Sequence, residues 1–323
     1  MDNLENISKE NKTVFIVGPT SSGKTFLAHT LAQKIGHAEI ISADSMQVFK
    51  HVDILSAKPP ESLRKEIKYH LVDYVGLHEE YSVARFYEDA CACKKEITQR
   101  GNTAIVVGGT GLYVRTLLRG IFDAPPADEA FRKHMHDLAE QQGAGYLHSI
   151  LSDCDPLAAQ AIKPQNIRRV IRALEVHNST GMPISSMQVQ WEKALLNPHP
   201  IFGKMYMWGI YWPRQILYER INQRVQEMYK NGLVDEVMFL LSQGIEKNLV
   251  VSQAIGIKEI AAYLKGEVSL SDALETIQRN TRRFAKRQLT WFAKEEAFNW
   301  CVLYNTDSLF PLVEYILKAV GKY

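Results

Sequence analysis

The sequence predicts an α/β fold in which a parallel sheet is flanked by helices and carries an inserted all-helical subdomain. Three short apolar runs rich in β-branched residues, at 13–17, 38–44 and 103–107, alternate with helical stretches. Strands and helices that alternate in this order form a parallel sheet with helices on both faces. A chain of 323 residues, with 46% hydrophobic and 23% charged residues, is typical of a globular protein with room for a large core.

A phosphate-binding loop pattern follows the first strand: a glycine, four further residues and then Gly-Lys-Thr. The two glycines allow backbone conformations that a Cβ would penalise, so the loop amides can turn inward around anionic oxygens. The next helix directs its positive N-terminal end to the same anion. Lys24 adds a charge, and Thr25 offers a hydroxyl for a bound Mg²⁺. The pattern predicts a di- or triphosphate site at Gly18, Pro19, Thr20, Ser21, Ser22, Gly23, Lys24 and Thr25.

The composition changes near residue 120, which divides the chain into three segments. We predict a first core segment at 1–120, a helical insertion at 121–203 and a return to the core at 204–323. Between 129 and about 191 the sequence has helical periodicity and no convincing strand. The remaining predicted elements are strands at 69–75, 205–212 and 299–304, and helices at 82–100, 214–231, 234–242, 253–264, 271–297 and 308–319.

Asp44 ends the second predicted strand, on the sheet edge shared by the phosphate loop and the glycine turn at 108–111. Ligands of parallel sheets bind beyond the carboxyl ends of the strands, so these segments should share one crevice. A carboxylate there could ligate Mg²⁺, accept a proton as a general base, or cap a helix or turn. The third strand ends in Gly-Gly-Thr-Gly rather than in the Asp of an ordinary NTPase metal site, which weakens a plain ATPase interpretation.

The segment 279–294 has six Lys or Arg residues and no acid, which indicates a phosphodiester-binding helix. A solvated charged face is the alternative. Helical spacing places Arg279, Arg283, Lys286 and Arg287 in one basic stripe. The core side is expected to carry Ile277, Phe284 and Trp291, which recur every seven residues.

Two further groups of arginines point to an anionic partner. Arg168, Arg169 and Arg172 lie on a predicted insertion helix, which alone could be a salt-bridged surface helix. Combined with the basic stripe, this helix suggests a clamp on a polyanion from two sides. Arg220 and Arg224, one turn apart, could reach the phosphates or lie on the surface.

Composition also bounds the protein's location and chemistry. No segment approaches the ~20 apolar residues that span a bilayer, and the N-terminus lacks an apolar signal core. We therefore expect a cytoplasmic protein without a membrane partner, and a monomer. The cysteines, at 91, 93, 154 and 301, form no C-x-x-C pair, so reduced thiols are expected and a zinc site is not. A net charge of +2 neither supports nor excludes a nucleic-acid partner.

The joint set of motifs resembles that of the tRNA dimethylallyltransferases, the isopentenyl (IPP) transferases of bacterial tRNA. The resemblance covers about residues 13–300. Its motifs, in chain order, are Gly18-Pro-Thr-Ser-Ser-Gly-Lys-Thr25, Ala43-Asp-Ser-Met-Gln47, Ala57-Lys-Pro59, Val107-Gly-Gly-Thr-Gly-Leu-Tyr113, Arg168-Arg-Val-Ile-Arg-Ala-Leu-Glu175, Ala254-Ile-Gly256 with Lys258-Glu259, and Lys286-Arg-Gln-Leu-Thr-Trp-Phe292.

The resemblance implies a P-loop nucleotide-kinase-like fold and a defined reaction. A dimethylallyl group would pass from dimethylallyl diphosphate to N6 of the adenine immediately 3′ of the tRNA anticodon, with Mg²⁺. The loop would hold the donor's diphosphate, Asp44 would be the general base, and Thr25 (also the metal ligand) and Arg224 would assist at the diphosphate. The implied tRNA contacts, in the insertion and the core, are Asp44, Ser45, Met46, Gln47, Thr110, Arg132, Arg168, Arg169, Val170, Ile171, Arg172, Gln253, Ala254, Ile255, Gly256, Ile257, Lys258, Arg283, Lys286 and Arg287.

This sequence departs from the family pattern at several positions. Phe49 stands where the family usually has Tyr, Leu55-Ser-Ala57 where it has Ile-Gly-Thr, Ile257 where it has an aromatic residue, and Ala293 where it often has Arg. These departures bear on local tRNA contacts rather than on the proposed chemistry. Two other interpretations remain open: a small-molecule enzyme (an ATP-dependent kinase, or a prenyltransferase acting on free adenine nucleotides), and a nucleotide-gated RNA-binding protein.

Overall fold

The structure, a computed structural model, describes residues 11–121, 125–193 and 197–321. The chain forms two compact units, one of residues 1–118 with 197–323 and one of residues 119–196. Residues 197–203, which the sequence boundary assigns to the insertion, therefore belong to the first unit. The reason is local pairing, because Thr13 Oγ1 donates to the Phe202 carbonyl at 2.6 Å and Lys204 N donates to the Asn11 carbonyl at 2.8 Å.

A six-stranded parallel sheet forms the centre of the first unit, in the order β3-β2-β4-β1-β5-β6. The predicted α/β class with a parallel sheet is confirmed. The strands are β1 (Lys12–Val17), β2 (Ala38–Ala43), β3 (Tyr69–His70), β4 (Thr103–Gly108), β5 (Lys204–Tyr211) and β6 (Asn299–Val302).

Helices surround this sheet and make up the second unit. The prediction of an insertion without strands is confirmed for its described residues. The helices are α1 (Lys24–Ile35), α2 (Glu61–Glu66), α3 (Val83–Gln99), α4 (Gly111–Arg119), α5 (Glu129–Gln142), α6 (Ala144–Cys154), α7 (Pro156–Ala161), α8 (Ile167–Thr180), α9 (Ile184–Lys193), α10 (Arg214–Lys230), α11 (Leu233–Ser242), α12 (Ile257–Leu264), α13 (Leu270–Phe292) and α14 (Leu309–Val320). None of the described helices is both long and apolar enough to cross a membrane.

Three predicted elements were wrong in extent. The strand predicted at 69–75 joins the sheet only at Tyr69 and His70, because Leu71 and Asp73 have positive φ angles of 60° and 62° that turn the chain away, and Val75 forms only an isolated bridge with Phe49. The helix predicted from 253 begins at Ile257, after Gly256 with a φ of 114°. The helix predicted to reach 297 ends at Phe292.

Each unit has its own apolar core. Strand β1 is buried on both faces, as expected for a central parallel strand. The second unit packs α6 and α8 around Leu151 and Val170, both fully buried. Phe284 does not lie on the core side of α13, as the seven-residue spacing predicted, but is 36% exposed. Ala285 and Gln288 occupy the buried positions of this stretch instead.

Candidate active site

The phosphate-binding loop connects β1 to α1 and depends on two glycines. Gly23 has a φ of 84°, in the left-handed region that favours glycine, directly before α1 begins. A Cβ at Gly18 would lie 2.8 Å from Ser22 Oγ, so a side chain there would displace the loop. The Trp212 indole N–H donates to the Ser22 carbonyl at 2.9 Å. The loop is therefore fixed by its own backbone and by the chain that follows β5.

Two hydroxyls of this loop are buried without a protein partner. Ser21 Oγ and Ser22 Oγ make no hydrogen bond to any described residue. Since nearly all buried polar atoms in native proteins are hydrogen-bonded, these two hydroxyls indicate that the loop pairs with a polar ligand. The backbone amides at the start of α1 supply further donors, so the donor set fits an anion such as a diphosphate.

Two cations of the loop region interact with the carboxylate of Asp44. Lys24 Nζ donates to the Pro19 carbonyl at 3.2 Å, and Arg224 Nη1 donates to Thr20 Oγ1 at 2.6 Å. Burial lowers the pKa of Lys24 to about 8, while the charge of Asp44 raises it and that of Arg224 lowers it. Burial also lowers the pKa of Arg224, and Asp44 again opposes the shift. These mutual effects mean that the two cations and the carboxylate share one crevice.

Arg220 is the second arginine that the sequence left between the phosphates and the surface. Its Nε donates to the Ser21 carbonyl at 2.9 Å, and its guanidinium lies 4.3 Å from the centre of the Trp212 ring. Burial lowers the pKa of Arg220. Arg220 therefore supports the loop from outside, by a hydrogen bond to its backbone and by stacking.

Asp44 directly follows β2, where three strand ends adjoin. Ala43 of β2 pairs with Gly108 of β4, which also pairs with Val17 of β1. Asp44 Oδ1 accepts a hydrogen bond from Met46 N at 2.9 Å, whereas Oδ2 has no hydrogen-bond partner within the described part of the chain. Asp44 also adds to the raised pKa of Tyr113, whose main cause is burial. The carboxylate is thus oriented through one oxygen and available through the other.

Thr110 connects the turn after β2 to the turn after β4. Its hydroxyl accepts a hydrogen bond from Ser45 N at 3.0 Å, and its amide donates to the Ala43 carbonyl at 3.3 Å. Gln47 is only 8% exposed, and its amide donates to the carbonyls of Ser56 and Ala57. Both residues, which the resemblance assigns to tRNA contact, therefore also hold the backbone around Asp44 in place.

The other core residues assigned to tRNA contact fall into exposed and buried sets. Gln253 and Lys258 are exposed and hydrogen-bond to each other at 3.1 Å. Ala254, Gly256 and Ile257 are buried, and Ile255 and Met46 are half-buried. Arg283, Lys286 and Arg287 are exposed on α13 and form no ion pair within the described residues. Phe49, a departure from the family, is 1% exposed and packs on Tyr81.

Within the insertion, the structure separates the arginines by their partners. Arg132 binds the fully buried carboxylate of Glu175 through Nε at 2.9 Å, and Arg172 binds the same carboxylate. Arg168 and Arg169 are exposed and have no ion pair among the described residues. The neighbouring positions assigned to tRNA contact, Val170 and Ile171, are buried in the core of this unit.

One site residue was missed by sequence reasoning. Gln288 lies on α13 and is 7% exposed. Its Oε1 accepts from Thr20 N and its Nε2 donates to the Gly109 carbonyl, both at 2.9 Å. The available signal was an uncharged amide between the core positions Ala285 and Phe292 of a basic helix. Gln288 was not singled out because the pattern used for this helix was its charge.

A phosphate-loop pattern between a strand and a helix, with a carboxylate after the strand two positions away in the same sheet, is the arrangement of a P-loop α/β protein. The IPP transferase family model matches residues 47–295. A tRNA dimethylallyltransferase of Acetivibrio thermocellus is 44% identical over 97% of both chains. The chain therefore belongs to the IPP transferase family, as the motifs predicted, and is an enzyme.

Solved structures are similar over nearly the whole chain. The full-length tRNA isopentenylpyrophosphate transferase of Bacillus halodurans is 37% identical, with a TM-score of 0.68, and the match covers 97% of this chain and 98% of that one. A eukaryotic dimethylallyltransferase captured acting on tRNA is 27% identical with a TM-score of 0.75, and the match covers 97% of this chain and 80% of that one. The fold and its insertion are thus those of characterised members.

Proposed function

We propose that this enzyme transfers a dimethylallyl group from dimethylallyl diphosphate to N6 of the adenine immediately 3′ of the anticodon in tRNA, releasing diphosphate. The observation that carries the proposal is the arrangement of the crevice: Lys24 and Arg224 are fixed on the phosphate loop, and Asp44 beside them has one oxygen without a hydrogen bond from any described residue. The activities for which the relatives are named, tRNA dimethylallyltransferase and tRNA isopentenylpyrophosphate transferase, support the same function.

Asp44 acts as the general base. The exocyclic amine of adenine is a poor nucleophile, because its lone pair is delocalised into the ring. The unpartnered oxygen of Asp44 orients this amine and accepts its proton as the bond from N6 to the prenyl carbon forms. The bond from that carbon to the diphosphate oxygen breaks in the same exchange, and its electron pair leaves with the diphosphate.

The phosphate loop stabilises the charge that develops on the leaving diphosphate. Lys24, Arg224 and the loop amides are already in place before reaction, held by the hydrogen bonds to Pro19 and Thr20. Donors fixed in this way stabilise a growing anion without reorganising during the reaction. The hydroxyls of Ser21 and Ser22 gain partners at the same time.

The residues of the crevice fit a bound Mg²⁺. Mg²⁺ prefers oxygen ligands and is usually held by one or two protein groups together with phosphate oxygens and waters. Thr25, in the first turn of α1, has a half-exposed hydroxyl without a hydrogen bond to any described residue. Thr25 would hold the ion, and the bound ion would neutralise part of the diphosphate charge.

The exposed basic residues supply the tRNA contacts. Arg168 and Arg169 lie on α8, and Arg283, Lys286 and Arg287 lie on α13. Unpaired Lys and Arg side chains bind phosphodiesters by releasing counterions, so tRNA affinity should fall steeply with salt. A stacked base cannot enter a crevice at the ends of the strands, so the target adenine must be extruded from the anticodon loop.

The test is transfer of a labelled dimethylallyl group from the diphosphate to unmodified tRNA. Two matched tRNAs are used, one with adenine and one with guanine immediately 3′ of the anticodon, both retaining the other loop adenines. We expect one labelled nucleoside, N6-dimethylallyladenosine, from the first tRNA only. Labelling of free adenine nucleotides, of both tRNAs, or of neither would contradict the proposal.

A further inference from the structure

One uncharged side chain joins the two loops that border the crevice. Gln288 of α13 accepts from Thr20 N through Oε1 and donates to the Gly109 carbonyl through Nε2, both at 2.9 Å. An amide oxygen cannot donate and an NH₂ group cannot accept, so only this orientation makes both hydrogen bonds. Gln288 thus satisfies one backbone donor and one backbone acceptor at the same time.

The amide of Gln288 fits because residue 109 is a glycine. A Cβ at Gly109 would lie 2.4 Å from Gln288 Nε2, so the absence of a side chain there permits the contact. Gln288 lies between the buried positions Ala285 and Phe292, where an apolar residue would avoid the cost of burying an amide. The buried amide is therefore explained by its two hydrogen bonds, which hold the two loops at a fixed distance from each other.

Each of the two joined loops lies beside a different group of the proposed reaction, one beside the leaving diphosphate and the other beside the general base. On one side, the Thr20 hydroxyl accepts from Arg224 at 2.6 Å, beside the leaving diphosphate. On the other side, Gly109 precedes Thr110, whose hydroxyl accepts from Ser45 N next to the general base. The parallel strands β1 and β4 end side by side, but nothing in their ladder fixes the turns beyond them.

We infer that Gln288 is a positioning residue for the transfer reaction: it fixes the separation between the phosphate loop and the turn after β4, whose Thr110 holds the turn that carries Asp44. The inference rests on the proposed function, because it assigns Gln288 to the distance between the leaving group and the base. Both hydrogen bonds of Gln288 go to protein backbone. It acts on the rate through Thr20 and Gly109.

The first test is Gln288→Leu, which keeps the approximate volume of the side chain and removes both hydrogen bonds. The single-turnover rate constant is measured with enzyme in saturating excess over tRNA, because at saturation the rate constant does not depend on how much of the enzyme is folded. We expect the rate constant to fall by about 10- to 100-fold while the dissociation constants of donor and tRNA change by less than about threefold, because misplaced groups cost more in the transition state than in binding.

The matched control is Gln278→Leu, the same substitution on the same helix. Gln278 is half-buried and has no hydrogen bond to a described residue. We expect the wild-type rate constant from this variant. If Gln288→Leu reacts with the wild-type rate constant, the positioning role is wrong.

A second variant gives a signature that a structural role would not produce. In Gln288→Glu, the ionised carboxylate can accept from Thr20 N but cannot donate to the Gly109 carbonyl. The protonated carboxyl can do both. The rate constant of this variant, divided by that of the wild type at the same pH, should therefore rise as the pH falls. Gln278→Glu should show a constant ratio.

The outcomes separate this inference from the proposed function. Failure of the wild-type enzyme to label tRNA overturns both. A wild-type enzyme that labels tRNA, together with a pH-independent rate ratio for Gln288→Glu, overturns the role of Gln288 alone. If Gln288→Leu does not fold, the pH dependence of Gln288→Glu decides the question.

Discussion

Glu39, at the start of β2, and Asp44, directly after the end of the same strand, differ in how completely the protein binds them. Glu39 is 5% exposed and accepts hydrogen bonds from Arg100, Asn102 and His70 at 2.7 to 2.9 Å. Asp44 accepts one backbone hydrogen bond on one oxygen. The first carboxylate accepts several donors, whereas the second has one oxygen without a hydrogen bond from any described residue.

The hydrogen bonds to Glu39 change the pKa of its carboxyl group. Burial alone would raise the pKa of Glu39, but the hydrogen bonds from Arg100, His70 and Asn102 outweigh it and hold the pKa at about 2. A carboxylate with so low a pKa cannot accept a proton near neutral pH and serves to fix β2 to its neighbours. One strand thus has a structural carboxylate at its amino end and the proposed general base at its carboxyl end.

The largest expected effect comes from Asp44→Asn. The amide keeps the shape and can still accept from Met46 N, but it cannot take the proton from adenine. The transfer rate should fall by about 10²- to 10⁴-fold, the usual contribution of general base catalysis. Steady-state labelling of tRNA measures it, with Asp307→Asn, an exposed aspartate outside the crevice, as the matched control. Wild-type turnover by Asp44→Asn would contradict the role of Asp44 as the general base.

The second-largest expected effect compares Arg224, which lies near Asp44, with Arg100, which binds Glu39 at the other end of β2. Arg224→Gln removes a cation that is fixed on Thr20 beside the diphosphate, so kcat should fall by about 10²- to 10³-fold. Arg100→Gln removes a cation from the Glu39 cluster and should leave kcat per folded enzyme unchanged. An equal loss of kcat in both variants would mean that the two ends do not differ in function.

The third effect is on stability. Glu39→Gln should lower the free energy of unfolding at pH 7 by about 3 kcal/mol, because it leaves a buried ionic network without its anion. The pKa of Glu39 is lower in the folded state, so its contribution is present above about pH 4.5 and is lost as the pH falls toward 2. The difference in free energy of unfolding between Glu39→Gln and the wild type should therefore become smaller at acidic pH. Urea unfolding at pH 7 and pH 3.5 measures it.

The control for this stability prediction is Glu96→Gln, which removes an exposed carboxylate that also binds Arg100. Exposed ion pairs contribute little, so the free energy of unfolding should change by less than about 1 kcal/mol. A larger loss from Glu96→Gln than from Glu39→Gln would show that burial does not decide the strength of this cluster.

The smallest effect is the pH dependence of donor binding. Lys24 has a pKa of about 8 in the free enzyme, so it is charged below that pH and loses its charge above it. Affinity for dimethylallyl diphosphate should fall as the pH rises from 7 to 9, by at most about tenfold per pH unit. Lys24→Arg, which stays charged, should remove this dependence. Calorimetric titration measures both enzymes with the same donor, so titration of the donor itself cancels.

The phosphate loop and the sheet were predictable because their signals are local. The loop glycines, Lys24 and the strand patterns follow from neighbouring residues, and strand ends in a parallel sheet must adjoin. The Glu39 cluster was not predictable in this way, since its partners come from α3, β3 and the turn before β4. Gln288 was missed for the same reason, as it meets Thr20 from the other end of the chain.

Periodicity also failed where two groups shared one helix. The seven-residue spacing of Ile277, Phe284 and Trp291 predicted a buried stripe, but Phe284 faces outward, where Arg287 lies 5.6 Å from the centre of its ring. The exposed basic stripe of α13 was predicted correctly in Arg283, Lys286 and Arg287 because charge itself keeps those side chains in water.

The most direct test of the account measures Asp44→Asn and Glu39→Gln side by side, each for its single-turnover rate constant of transfer to tRNA and for its free energy of unfolding. We predict that Asp44→Asn loses the rate and keeps the stability, and that Glu39→Gln loses stability and keeps the rate constant. If Glu39→Gln loses the rate constant as well, or if Asp44→Asn keeps it, the division of roles along β2 is contradicted.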